Sequence, residues 1–150
     1  MKIAIGSDHA AYEMKEMVKN LLLSQNIEVI DCGTYSPERA DYPDYAIKVS
    51  KEVTANDIQG ILLCGSGIGV SIVANRFKGV RAALCRSPFD AEMAKKHNNA
   101  NILCLGARVN TEDEIKKIIE AWFANTFEGG RHADRLKIFE NLGSTSGASC

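Results

Sequence analysis

The sequence has no CxxC pair, and its five cysteines, at 32, 64, 85, 104 and 150, are odd in number and widely scattered. That pattern leads to neither a disulfide framework nor a zinc site, and reduced thiols suit the cytosol. No apolar stretch approaches the roughly 20 residues that a membrane helix needs, and Met1 to Gly6 is too short for a signal-peptide core. Eighteen basic against nineteen acidic residues leave a formal charge of −1, without the basic excess of a nucleic-acid binder. A cytoplasmic protein with a small-molecule partner is expected, one that engages neither nucleic acid nor membrane. Internal repeats and linkers are missing too. The one low-complexity segment is the tail from Gly143 to Cys150, expected to be flexible and dispensable.

What is present suffices for one domain, 1–142, since 45% of 150 residues are hydrophobic. Short branched-aliphatic runs at Lys2–Gly6, Glu28–Asp31, Gly60–Cys64, Val80–Cys85 and Ile102–Leu105 read as five buried parallel strands. Helical stripes lie between them: Met14, Met17, Val18, Leu21 and Leu22, then Ala46, Val49 and Val53. Asp41-Tyr42-Pro43 reads as a helix start with Asp41 as cap, Ser87-Pro88 as another, and Thr111 to Glu114 as a capping box. The helix after that box carries Ile115, Ile118, Ile119, Trp122 and Phe123, a core or subunit-interface stripe. Alternating strands and helices predict a three-layer α/β/α sandwich on a five-stranded, mostly parallel, Rossmann-like sheet, with a C-terminal helix. Ligands of such sheets bind at the strands' carboxyl ends. Ser7-Asp8-His9, Cys64 to Gly69 and Gly106-Ala107-Arg108 all fall there.

The segment Cys64-Gly65-Ser66-Gly67-Ile68-Gly69 sets a thiol at the end of a strand and against a glycine loop that opens a helix. Glycines let backbone N–H groups turn toward a ligand, and a helix N-terminus carries about half a positive charge, which favours anions and thiolate. Val70 stands where a dinucleotide-binding GxGxxG needs glycine, and no acidic residue ends the next strand. The loop has no P-loop lysine, and Val70 lies where a cysteine phosphatase would want arginine. A thiol with backbone donors and no local cation is left.

Cations for an anionic ligand must come from elsewhere. Arg131 and Arg135, four apart, share a helix face, where an anion would offset their repulsion; the same spacing suits a solvated face with Arg131 paired to Asp134. Arg108 sits just past the fifth strand. His97, in His97-Asn98-Asn99-Ala100-Asn101, suits a helix C-terminal dipole partner or packed ring as well as a catalyst. Asp8 and His9 equally suit an N-cap and first turn.

Taken jointly, these residues resemble the ribose-5-phosphate isomerase B and sugar-phosphate isomerase family, which includes galactose-6-phosphate isomerase subunits. The likeness runs from Lys2 to about Leu142. It is carried by Gly6-Ser7-Asp8-His9, Asp41-Tyr42-Pro43, the 64–69 segment, His97 to Asn101, Gly106-Ala107-Arg108 and Glu128-Gly129-Gly130-Arg131-His132. The resemblance implies that Cys64 is the proton acceptor and that His97 assists ring opening, with Ser66 hydrogen-bonding the reacting oxygen. It further implies that Asp8, His9, Gly65, Gly67, Ile68, Gly69 and Asn98 line the sugar site, and that Arg108, Arg131 and Arg135 hold phosphate. Members of the family are metal-independent homodimers, sometimes paired into tetramers, with active sites shared between subunits, so no cofactor is expected. One branch uses a glutamate directly after the glycine loop as base; Val70 stands there, which assigns this chain to the thiol branch. Ser66 replaces a common threonine and keeps the hydroxyl.

The implied reaction interconverts ribose 5-phosphate and ribulose 5-phosphate through an enediolate, with a positioned proton carrier at each step. Alternatives remain open at this stage: a six-carbon substrate such as allose 6-phosphate or galactose 6-phosphate, a non-catalytic phosphosugar-binding subunit, or Cys64 as a nucleophile in acyl or phosphoryl transfer.

Overall fold

Five strands form one sheet in the order β2-β1-β3-β5-β4: β1 (Lys2–Ser7), β2 (Glu28–Asp31), β3 (Gln59–Cys64), β4 (Ala82–Leu84) and β5 (Ile102–Gly106). All four pairings are parallel. The structure is a computed structural model that describes residues 1–143, and the remainder of the expected tail lies outside the described residues. Helices α1 (Tyr12–Ser24), α2 (Tyr42–Asn56), α3 (Ile68–Ala74), α4 (Pro88–Asn98), α5 (Glu112–Ala124) and α6 (Arg131–Phe139) complete it.

The apolar runs are continuous because each central strand is covered on both faces. Ile3, Ile5, Ile61, Leu63, Leu103 and Leu105 pack with Val18, Leu22, Ala91, Ala94, Ile115 and Trp122, from the side of α1, α4 and α5. Ala4, Leu62, Cys64, Ile102 and Cys104 alternate with them and meet Ala46, Val49, Val53, Val70 and Ala74 from α2 and α3. Trp122 is fully buried, and its indole N–H donates to Gln59 Oε1 at 2.7 Å, so it is core.

Capping at α4 and α5 follows the expected chemistry. Ser87 and Asp90 form a capping box, and so do Thr111 and Glu114. Two expectations need correction. Asp41 is the residue before α2, but its side chain makes no capping bond; its carbonyl accepts from Asp44 N–H at 3.2 Å instead. The fourth strand shrinks from Val80–Cys85 to Ala82–Leu84 because Val80 N–H turns back to Phe77 O and side chains take over the edge. Asn75 accepts from Ala82 N–H and donates to Ala82 O, both at 2.9 Å, occupying groups that an edge strand would otherwise expose.

Candidate active site

The order in which strands are added reverses between the adjacent strands β1 and β3, and a crevice opens at their carboxyl ends. Asp8 leaves β1 there. Its backbone N–H donates to Leu63 O at 3.3 Å, and its Oδ1 accepts from Ala11 N–H at 3.2 Å, which anchors a carboxylate with only 8% exposure. Cys64 ends β3 across from it and is 4% exposed.

The loop after Cys64 folds back on the sulfur. Gly67 N–H donates to Cys64 Sγ at 3.1 Å. That geometry requires glycine at 67: φ is +77°, and a Cβ would lie 2.6 Å from Leu84 Cδ1 and 2.9 Å from the Leu105 carbonyl carbon. Ser66 Oγ accepts from Ile68 N–H at 3.2 Å at the entry to α3. The loop after β5 locks onto this turn, with Ala107 N–H on Cys64 O and Arg108 N–H on Gly65 O, both at 2.9 Å. Arg108's guanidinium lies against Gly65, its Nη1 3.4 Å from where a Cβ would stand.

The resulting crevice, about 350 Å³, is lined by Asp8, Cys64, Gly65, Ser66, Gly69 and Arg108, together with Tyr42 and Val109. Six expected site residues thus converge from three strand ends. Tyr42, which the sequence offers only within a helix-start motif, closes the crevice by packing its ring on Gly69, 2.7 Å from the Cβ position there. The other thiols are different in kind. Burial pushes Cys32 up to about 11 and Cys85 up to about 12, and pushes Cys104 well up, so these stay protonated in the core.

The remaining expected residues do not line that crevice. His9 is exposed and its Nδ1 lies 3.0 Å from Ala40 O. His97, at the end of α4, stacks on His132 of α6 with ring centroids 4.2 Å apart. Glu128 Oε2 is 4.0 Å from His97 Nε2 and 3.9 Å from His132 Nε2. One donor atom from each of these three lies within 4.8 Å of the others, but the rings are only 12° from parallel, so their lone pairs run side by side instead of converging on one ion. Arg131 and Arg135 are exposed on α6, and neither forms an ion pair among the described residues; Asp134 pairs with Lys137 at 3.7 Å instead. Asn98 faces a larger hollow of about 700 Å³ beneath α6, lined by Phe127, Leu136 and Phe139, which holds none of the other expected site residues. One chain therefore carries a thiol half and an imidazole–arginine half in separate places.

Residues 3–139 match the Ribose/Galactose Isomerase family. The chain belongs to that family. It is 43% identical over 137 residues to ribose-5-phosphate isomerase B of Escherichia coli, covering 91% of this chain and 92% of that one. A ribose 5-phosphate isomerase crystal structure from Thermotoga maritima superposes with a TM-score of 0.91 at 51% identity, covering 94% of this chain and 98% of that one. Ribose-5-phosphate isomerase B from Mycoplasma genitalium, solved with bound ribulose-5-phosphate, superposes with a TM-score of 0.89 at 40% identity, covering 93% of each chain. No helix among the described residues is long and apolar enough to cross a membrane.

Proposed function

We propose that this chain interconverts ribose 5-phosphate and ribulose 5-phosphate as a metal-independent aldose–ketose isomerase of cytoplasmic pentose phosphate metabolism. The observation that carries this reading is Cys64 Sγ at the crevice wall, accepting from Gly67 N–H at 3.1 Å, in a chain of the isomerase family. The ribulose-5-phosphate complex of the Mycoplasma genitalium relative supports the five-carbon substrate.

The chemistry follows from the groups at hand. Cys64 thiolate removes the C2 proton of the opened aldose and returns it to C1 while the O2 hydroxyl proton passes to O1; the reverse reaction starts at C1. Negative charge builds on the carbonyl oxygen. Donors for it are loop N–H groups and the Ser66 hydroxyl, whose oxygen already accepts from Ile68 N–H and whose proton is free to donate. Asp8 orients sugar hydroxyls. Arg108 begins the phosphate clamp, and a clamp on the remote phosphate converts binding energy into orientation of the reacting carbons.

His97, which shuttles the proton between ring oxygen and hydroxyl during opening, comes from a second copy, together with Asn98, Arg131 and Arg135. Supporting this homodimer are the separation of the two halves within one chain and the large apolar side chains left in solvent. Ile72 on α3 is 61% exposed and Ile138 on α6 is 84% exposed.

The test is isomerisation of ribose 5-phosphate, allose 6-phosphate and galactose 6-phosphate by the purified chain in excess EDTA, with Cys64→Ala alongside. Strong turnover of ribose 5-phosphate that resists EDTA and vanishes in the variant is expected. Preference for a six-carbon substrate, a reading kept alive by the family's pairing of ribose and galactose, would retain the mechanism and replace the substrate. Full activity in Cys64→Ala would sink the thiol base.

A further inference from the structure

The glycine loop has a cation delivered from the end of the edge strand β4. Arg86 follows β4 at the carboxyl edge of the sheet, and its backbone is held from both sides: its N–H donates to Asp90 Oδ2 at 2.9 Å, and its carbonyl accepts from Asn110 Nδ2 at 3.1 Å. Its side chain turns toward the crevice loop. Nη2 donates to the Ser66 carbonyl oxygen at 3.2 Å, while Nη1 is buried with no partner among the described residues.

The Ser66 carbonyl and the Gly67 N–H are the two ends of one peptide unit. That N–H is the group on Cys64 Sγ. A guanidinium on the oxygen end draws electron density through the amide and makes the N–H a stronger donor, because hydrogen bonds in series polarise one another at low dielectric. The same contact holds the turn in the orientation that aims the N–H at sulfur, against the freedom glycine has at φ +77°.

We propose that Arg86 is a positioning residue for Cys64, acting through the Ser66–Gly67 peptide to favour the thiolate and to hold the loop N–H on it. This inference rests on Cys64 being the base only for its catalytic consequence; the effect on the thiol stands on geometry alone. Arginine suits the task better than lysine, since its planar fork donates along a fixed direction and stays charged throughout the working range.

The experiment compares wild type, Arg86→Met and Arg86→Lys by the rate at which iodoacetamide alkylates Cys64, read by peptide mass, from about pH 6 to about pH 10. Arg86→Met is expected to react about fivefold more slowly near pH 7 and to match or slightly exceed wild type near pH 10, above the ordinary range of a thiol. Arg86→Lys falls between, and it serves as the test variant if the methionine variant does not fold. In the same variants kcat for ribose 5-phosphate falls near pH 7 with KM little changed. Wild-type alkylation rates near pH 7 would overturn the proposal. So would a deficit that persists undiminished near pH 10, because that signals a displaced loop without any effect on thiolate. Loss of the base reading shows separately, as turnover that survives Cys64→Ala while the alkylation pattern stands.

Discussion

His97 and His132 stack face to face, with centroids 4.2 Å apart and planes 12° apart. His132 is buried at 6% exposure on α6, while His97 reaches solvent from the end of α4, so the inner ring is the platform for the outer one. Loss of solvent, reinforced by the facing charges of His97, Arg131 and Arg135 and opposed by Glu128, holds His132 below the usual imidazole range. A neutral His132 fits the proton-carrying role proposed for His97. His132→Ala is expected to lower kcat on ribose 5-phosphate roughly tenfold through misplacement of His97, with a smaller change in KM. His132→Phe, which keeps a flat face, should recover most of it in steady-state assays.

Gly67→Ala probes the turn itself. The added methyl would meet Leu84 and the Leu105 backbone at under 3 Å, in a backbone conformation that alanine resists. A loss of about 2–4 kcal/mol of stability is expected from strain plus overpacking, measured as a lower urea midpoint with an unchanged slope. Turnover should fall further than stability explains, because the N–H leaves the sulfur.

The proposed sharing of sites between two copies makes a quantitative prediction about mixtures. Arg135→Ala should raise KM for ribose 5-phosphate about tenfold to a hundredfold by loss of a charge-assisted phosphate contact. Cys64→Ala should be inactive. Co-refolded in equal amounts and assayed at substrate below the Arg135→Ala KM, the two variants give mixed dimers with one intact site, so about a quarter of wild-type activity returns. No recovery above the mean of the separate variants would mean that thiol and arginine act within one chain.

Acid sensitivity should centre on Asp31. Its carboxylate accepts from Lys15 Nζ at 2.8 Å on both oxygens, from Lys19 Nζ at 2.9 Å and from Gly33 N–H at 2.9 Å. Burial works against its charge, but these bonds outweigh burial and hold the carboxyl below its usual range. A lowered folded-state value contributes stability that is fully present above the unfolded value of about 3.9 and is lost as pH falls through the folded value. Asp31→Asn strips a partner from Lys15, which is 0% exposed, and should cost about 2–4 kcal/mol at neutral pH and less at about pH 3, below the unfolded carboxyl value. Thermal unfolding at the two pH values checks this.

How far local sequence carries the fold is visible at Thr111 and at Val80. Thr111 and Glu114 close their capping box within four successive residues, so the pattern suffices to name the helix start. Val80 has the composition of a strand, yet its N–H is taken by a turn to Phe77, and the ladder begins only where Asn75 reaches Ala82. That reach depends on where α3 ends in space.

The site divides in the same way. The alternation of apolar runs and helical stripes determined the parallel sheet, because side-chain periodicity is a local property of the backbone. The thiol and its glycine loop were legible as one contiguous string, and the sugar-phosphate isomerase likeness as several short ones spread along the chain. Only the tertiary structure decided that Arg86 supplies the cation missing from the loop, that Tyr42 closes the crevice over Gly69, and that His97 stacks on His132 away from Cys64. Each of these is a contact between residues distant in sequence, set by the packing of whole strands and helices, and spacing along the chain carries no record of such distances.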